Sequence, residues 1–348
     1  MKLVVIFALI CVSFATQTKS VSQKAADLGF KTFDHDFKSF KITHNKQYST
    51  AEEEEQRKVN FLHTLQVIAQ HNEGFKRGIE THEMGVNQFA DMSDAEYQSM
   101  FVMPDPTVQK PEPADAYIAE PEALSSVPQS LDWRQKGKVT PVKNQGGCGS
   151  CWAFSVIGGI ESAYAVKQNK NNLDLSEEQL VDCMNSKCGG QWIYDGYKYV
   201  IAHGVENEAQ YPYSAGSGHY NQCQEKASAP HTHIKGYKSL GKGISESHPL
   251  ATDQEIMAAI EANGPISMMF NANGDAFRNY KTGVITQNDM GWTGSHAVVI
   301  VGWGTEGGHD YWIIKNSWGA TWGDHGYFKM VRGQNLRHVN EYLYFPDL

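Results

Sequence analysis

The stretch Gln145-Gly-Gly-Cys-Gly-Ser-Cys-Trp152 constrains this chain more than any other. Glycine and serine crowd the two cysteines into a tight turn. Trp152-Ala-Phe-Ser-Val-Ile-Gly-Gly-Ile-Glu-Ser-Ala-Tyr164 follows, with Phe154, Ile157, Ile160 and Tyr164 at helical spacing, so one face is buried. Cys151 therefore lies at or just before a helix N-terminus, where unpaired amide N–H groups and the positive end of the dipole favour an anion. A thiol so placed ionises more easily, and the thiolate is the nucleophile. A C-x-x-C pair has two other uses, a redox couple or half a zinc site with Cys183 and Cys188 as the other half. A redox motif expects a βαβ context, which the surrounding pattern lacks.

The compartment follows from the first residues. Met1 to Ala15 holds one Lys, an apolar run and a small-x-small ending, Ser13-Phe14-Ala15, which reads as a secretory signal peptide. The run is too short to span a bilayer and no other stretch is long enough, so no membrane partner is expected. Secretion places the cysteines in an oxidising compartment, where zinc would compete with disulfide formation. Of the six cysteines, Cys11 lies in the leader. Five remain, so four can pair by any of three connectivities and one thiol stays free. A net charge of −9 without a Lys/Arg cluster argues against nucleic acid. The hydrophobic fraction, 41% of 348 residues, suffices for a sizeable core.

Residues 16 to about 100 are polar and read as helical, with Glu53, Arg57, Phe61, Ile68 and Asn72 on one stripe of a long helix. Gly85-Val-Asn87-Gln-Phe89-Ala-Asp91 follows. From Phe101 to Ser126 five prolines mix with acidic residues and Ala, the composition of an extended, cleavable segment. Beyond Val127 no repeat is visible. Ser176-Glu-Glu-Gln-Leu-Val-Asp182 starts like a capped helix, and Tyr194 to His203 is a third candidate helix. Ile266–Phe270, His296–Gly302, Asp310–Lys315 and Gly326–Val331 read as strands.

A thiol nucleophile needs a base, and the oxyanion it creates needs donors. His296 opens a strand after Gly294-Ser295, Asn316 sits in Lys315-Asn-Ser-Trp-Gly319, and Gln145 precedes Cys151 by six residues. This set, in this order, resembles the papain and cathepsin L family of cysteine peptidases. The helical stripe resembles the interspersed Glu-Arg-Phe-Asn-Ile-Asn pattern of cathepsin L-type propeptides, with Thr64 in place of the first Asn. Gly85 to Asp91 matches the second propeptide motif, and Val127-Pro-Gln-Ser-Leu-Asp-Trp133 resembles a mature N-terminus of the family.

The resemblance implies an α+β, papain-like fold of two lobes, one helical and one β-barrel-like, with the cleft between them and a helical propeptide in front. It divides the chain into a signal peptide (1–15), an inhibitory propeptide (16–126) and a peptidase domain (127–348). It implies a self-inhibited zymogen of a cysteine endopeptidase that hydrolyses proteins and peptides through a thioester, with no cofactor and no metal. Cys151 would be the nucleophile and His296 the base. Asn316 would orient the imidazole, Trp318 would cover that hydrogen bond, and Gln145 with the Cys151 N–H would bind the oxyanion. Disulfides would join Cys148 to Cys188 and Cys183 to Cys223. Substrate would meet the backbone of Gly190 and Gln191 and an apolar pocket of Trp192, Ile193 and Met269, with Gly294 beside the His and Tyr342 at the floor. No Asp or Glu is expected at that floor to receive a basic side chain. Partners would be substrates, the chain's own propeptide and cystatin-like inhibitors, with a monomer in the secretory pathway, the lysosome or vacuole, or outside the cell. Two departures stand out. Relatives often carry another disulfide in the β lobe, where this chain has Met290, and Cys188-Gly-Gly-Gln-Trp192 replaces the usual Cys-Asn-Gly-Gly. The competing classes are a C-x-x-C redox or zinc-binding secreted protein and a non-enzymatic protease-like binder.

Overall fold

A computed structural model describes residues 19–101, 103–104, 106, 115–117, 124, 126–287 and 294–348. The expected leader, most of the Pro-rich segment and Met290 lie outside the described residues. The chain divides into two units, residues 1–63 and 64–348.

The first unit is helical. Helix α1 (Val21–Asp27) starts at a capping box in which Ser20 and Gln23 satisfy each other's backbone N–H. Helix α2 (Phe33–Thr43) and the first half of α3 (Ala51–Lys76) bring Phe33, Phe37, Phe40 and Phe61 together, with ring centroids 4.9 to 6.4 Å apart. Glu52, Glu53 and Glu54 in the first turn of α3 complement its dipole. The expected stripe is indeed on this one helix.

In the second unit, Asn72 of α3 grips strand β1 (His82–Met84) as a backbone would. Its Oδ1 accepts from Met84 N and its Nδ2 donates to Met84 O, both at 2.9 Å. Helix α4 (Asp94–Gln98) begins at a second capping box, on Ser93 and Glu96. The short β2 (Leu131–Asp132) precedes three helices, α5 (Cys151–Gln168), α6 (Glu177–Cys183) and α7 (Ile193–His203). Ser176 caps α6 by accepting from Gln179 N. Then come β3 (Gly236–Gly241), α8 (Asp253–Asn263), β4 (Ile266–Asn271), α9 (Asp275–Arg278), β5 (Tyr280–Ile285), β6 (Ser295–Glu306), β7 (His309–Lys315), β8 (Tyr327–Val331) and β9 (Tyr342–Asp347).

The strands form one sheet in the order β1-β5-β8-β7-β6-β4-β9-β3, with β2 on β6. The pairs are antiparallel except β5 with β8. The path does not close on itself among the described strands, so the barrel-like lobe is an open sheet. The four strands expected from sequence are β4, β6, β7 and β8. The other five are short or lie towards the ends of the path, where the apolar pattern is weakest. One apolar core fills the space between the sheet and α8, and a second packs α5, α6 and α7 against Met269, Ala297, Tyr342 and Tyr344 of the sheet.

Buried hydroxyls stitch these cores together. Ser155 Oγ of α5 donates to Val298 O of β6 at 2.7 Å, and Ser267 Oγ of β4 donates to Ser155 O at 2.8 Å. With its hydrogen so used, Ser267 accepts from the Tyr197 hydroxyl of α7 at 2.9 Å. Ser267→Ala leaves Ser155 O and the Tyr197 hydroxyl without this partner, so it should destabilise the chain by about 1–3 kcal/mol. A urea midpoint equal to wild type would contradict this reading of the seam.

Candidate active site

The turn before α5 is held from three sides. Gln145 N donates to Ser317 O at 2.8 Å, Gly147 N to Gly216 O at 2.7 Å, and the Cys148–Cys188 disulfide fixes its far end. Gly146 has φ +61°, and a Cβ there would sit 2.2 Å from Gly216 O, so only glycine fits. Tyr213 donates its hydroxyl hydrogen to Gln145 O at 2.7 Å and accepts from Ser150 Oγ at 2.8 Å. Cys151 is the first residue of α5 and the only free cysteine among the described residues.

The facing side comes from the sheet. His296 lies on β6 opposite Phe270 of β4, and Asn316 directly follows β7, its N–H bonded to Gly326 O. His296 Nε2 is 2.8 Å from Asn316 Oδ1. An amide oxygen only accepts, so Nε2 carries the proton and Nδ1 keeps the lone pair. The Trp318 ring stacks on the imidazole at 4.9 Å and excludes water from that bond. The backbone N–H of Ala297, the residue after His296, reaches the Cys151 sulfur. Gln145 is buried, its Oε1 accepting from Ser317 Oγ at 2.7 Å and its Nε2 donating to Cys148 O at 2.9 Å.

Below Asn316 lies a buried charged seam. Lys315 Nζ donates to Thr140 Oγ1, which donates to Glu161 Oε2 of α5 at 2.5 Å. Burial lowers the Lys315 ammonium's pKa, and Glu161 opposes it. The seam ties the strand that ends just before Asn316 to the helix that begins at Cys151.

A segment from Met84 to Met103 covers this constellation. Gln88 Nε2 donates to Trp318 O at 2.8 Å, the Phe101 ring lies 6.0 Å from His296, and Met103 is buried in the apolar cluster that holds Cys151. Arg278 of α9 clamps the same segment. Its guanidinium donates to Phe89 O at 2.6 Å and to Met92 O, pairs with Asp94 at 3.1 Å, and stacks over Tyr97. Nothing in the pattern around Arg278 announces this role, because its partners lie more than 180 residues away.

The expected pocket residues gather in one row of the sheet. Met269 of β4 faces Ala297 of β6 on one side and Tyr342 of β9 on the other. Trp192 and Ile193, at the start of α7, belong to the same apolar cluster, and the Trp192 ring lies 5.8 Å from that of Tyr342. Gly190 and Gln191 are half-buried beside it. A Cβ on Gly294 would meet Phe101 at 3.2 Å. Trp318 lies in the other core, under the imidazole. No Asp or Glu is expected at the pocket floor to receive a basic side chain, and the carboxylate found near Tyr342, that of Glu246, accepts the tyrosine's own hydroxyl hydrogen at 2.6 Å. Glu246 was missed because it sits in the loop between β3 and α8, about 100 residues before Tyr342.

Disulfides join Cys148 to Cys188 and Cys183 to Cys223. Cys148 and Cys151 are therefore not a redox pair here, and three of the four sulfurs a zinc site would need are spent in disulfides. Burial pushes the Cys151 thiol up to about 12, against the pull of the Ala297, Trp152 and Cys151 N–H groups. Burial likewise lowers His296 to about 4, against its Asn316 bond. The covered site thus holds Cys151 as a neutral thiol and His296 as a neutral imidazole.

Residues 127–346 match the family described as papain family cysteine protease, and residues 37–97 match the cathepsin propeptide inhibitor domain. The chain is 37% identical to digestive cysteine proteinase 1 of Homarus americanus, over 86% of this chain and 90% of that one. It is 34% identical to cathepsin S of Bos taurus, over 91% and 93%. Among solved structures, digestive procathepsin L 3 of Tenebrio molitor larval midgut superposes with a TM-score of 0.79 at 31% identity, covering 91% of this chain and 99% of that one.

Two outcomes follow from the buried pair. In the intact chain at pH 7, iodoacetamide should label Cys151 at least about ten times more slowly than free cysteine, because so little thiolate is present. Labelling as fast as free cysteine would contradict the burial. The neutral imidazole contributes stability that is complete above the unfolded pKa near 6.5 and is lost as pH falls towards about 4. The thiol's contribution is complete below about 9 and is lost towards about 12. Protease susceptibility of the segment before Val127 should accordingly rise between pH 6.5 and 4. A flat profile there would refute the linkage.

Proposed function

The chain belongs to the papain family of cysteine proteases, and from that premise we propose that Cys151, His296 and Asn316 form the reaction centre of a zymogen. The observation that carries this reading is the 2.8 Å bond from His296 Nε2 to Asn316 Oδ1, with the Ala297 N–H at the Cys151 sulfur. Once the covering segment leaves, water and substrate reach the pair. Cys151 Sγ attacks the substrate carbonyl carbon and its proton passes to His296 Nδ1. The oxyanion lies between the Cys151 N–H and the second Nε2 hydrogen of Gln145, whose amide is held by Ser317. The C–N bond breaks, Nδ1–H protonates the leaving amine, and a thioester remains. Water, deprotonated by the same nitrogen, then releases the acid and regenerates the thiol. Asn316 keeps the ring in one orientation throughout by accepting from Nε2–H, in the water-poor space beneath Trp318.

Residues 1–15 act as the secretory leader, 16–126 as the intramolecular inhibitor and 127–348 as the endopeptidase. The matched inhibitor domain and the bonds that the covering segment makes through Asn87 and Gln88 and receives from Arg278 support that division. The fate is the secretory pathway, ending in a lysosome or vacuole or outside the cell. The enzyme acts as a monomer that cystatin-like proteins inhibit. An apolar residue two before the scissile bond enters the pocket of Trp192, Ile193, Met269 and Tyr342, with Gly190, Gln191 and Gly294 at its rim.

Cys151→Ala should lower peptide hydrolysis by at least about a thousandfold while leaving the unfolding midpoint intact. Near wild-type hydrolysis by that variant would sink the assignment. A second expectation concerns the segment itself. Residues 16–126, added in trans, should inhibit the processed enzyme, and no inhibition at micromolar concentration would count against the inhibitory role.

A further inference from the structure

Tyr342 is almost fully buried, beside Met269 and under Trp192, yet its hydroxyl has a fixed partner on another loop. That partner, Glu246, is half-buried, and its carboxylate accepts the hydroxyl at 2.6 Å. A bond from a hydroxyl to a carboxylate of this length is of the strong, charge-assisted kind. The loop that carries Glu246 is itself stapled to the approach of β9. Gly243 N donates to Glu341 O at 3.1 Å and Ala251 N to Asn340 O at 3.0 Å. Lys242 Nζ pairs with Glu341 at 3.2 Å. Gly241, at φ +61°, lies so close to Asn340 O that an added Cβ would be 2.5 Å from it. The acceptor and the ring it holds are thus mounted on one rigid corner.

We propose that Glu246 is a specificity-determining positioning residue, which pins the Tyr342 ring as a raised floor and limits the pocket to unbranched or short-branched apolar side chains. The inference rests on the pocket reading above and deepens it. With the hydroxyl held, the ring cannot rotate away, so an aromatic residue two before the scissile bond lacks depth. Glu246 acts through Tyr342 rather than on substrate. A basic side chain gains little from Glu246, whose carboxylate already accepts the Tyr342 hydroxyl.

The test compares the full chain, expressed and processed, as wild type, Glu246→Gln, Glu246→Ala and Tyr342→Phe. Each hydrolyses fluorogenic peptides with Leu, Val, Phe or Arg two before the scissile bond. Glu246→Ala and Tyr342→Phe should raise the Phe-to-Leu ratio of kcat/KM by about tenfold, carried by KM for the Phe peptide. Glu246→Gln keeps an acceptor and should stay within about twofold of wild type on the scale of such pocket effects. Ratios unchanged in both Glu246→Ala and Tyr342→Phe overturn the proposal. So does a loss confined to the Arg peptide in Glu246→Ala, which would make Glu246 a cation receptor. Binding of Leu and Phe peptides, followed by tryptophan fluorescence, reads the pocket without turnover. A wild type that binds but hydrolyses nothing would refute the reaction centre, while equal binding shifts in every variant would refute the latch alone.

Discussion

The contact between the Ala297 N–H and the Cys151 sulfur exists only because helix α5 lies directly against strand β6. Ser155 fixes the register of that contact by bonding Val298 O, and Gly158 permits it, since a Cβ there would come within 3.2 Å of Val299. Both sides of the candidate centre are then set by rigid elements, the thiol by a helix start and the imidazole by a sheet strand. The Lys315–Thr140–Glu161 seam repeats the tie one layer deeper, joining the strand that ends just before Asn316 to the same helix. Reaction geometry tolerates little error, and a misplacement of about 1 Å can cost a hundredfold in rate. A centre split between two cores therefore depends on how tightly the cores are stitched.

The same burial that orders the site also silences it. Thiol and imidazole are both held neutral, and the nucleophile is the thiolate. The covering segment achieves this with few contacts, chiefly Asn87, Gln88, Tyr97 and Phe101 on the sheet side and Met103 in the apolar cluster that holds Cys151. Strand β1 extends the hold by pairing with β5. Its His82 is fully buried and lowered to about 3, first by burial and then by His71 and Arg337. A protonated imidazole there has no water to solvate it, so acid acts on the cover as well as on the site.

Local features were legible in the sequence and long-range ones were not. The glycine-rich turn, the start of α5 and the Ser176 cap are written in neighbouring residues, and the helical stripe holding Asn72 reads from spacing alone. His296 and Asn316 are individually ordinary, and only their order beside Cys151 singles them out. By contrast, β1 pairs with a strand about 200 residues later, and its three residues carry no alternation worth reading. Arg278 and Glu246 are single polar residues in unremarkable surroundings, and their partners come from the fold. Tyr342 was expected from the sequence as an aromatic floor, but the carboxylate that its hydroxyl meets was not, because a hydroxyl's partner is a property of the packed structure.

The central claim is that Cys151 carries the substrate's acyl group during turnover. It is tested most directly by quenching the processed enzyme with acid during hydrolysis of a slowly deacylating peptide ester and weighing the protein and its fragments. The account predicts one added acyl mass on the peptide containing Cys151, labile to hydroxylamine and absent from Cys151→Ala. Acyl mass on Ser150 or Ser155 instead, or steady product release with no protein-bound acyl at any time, would contradict it.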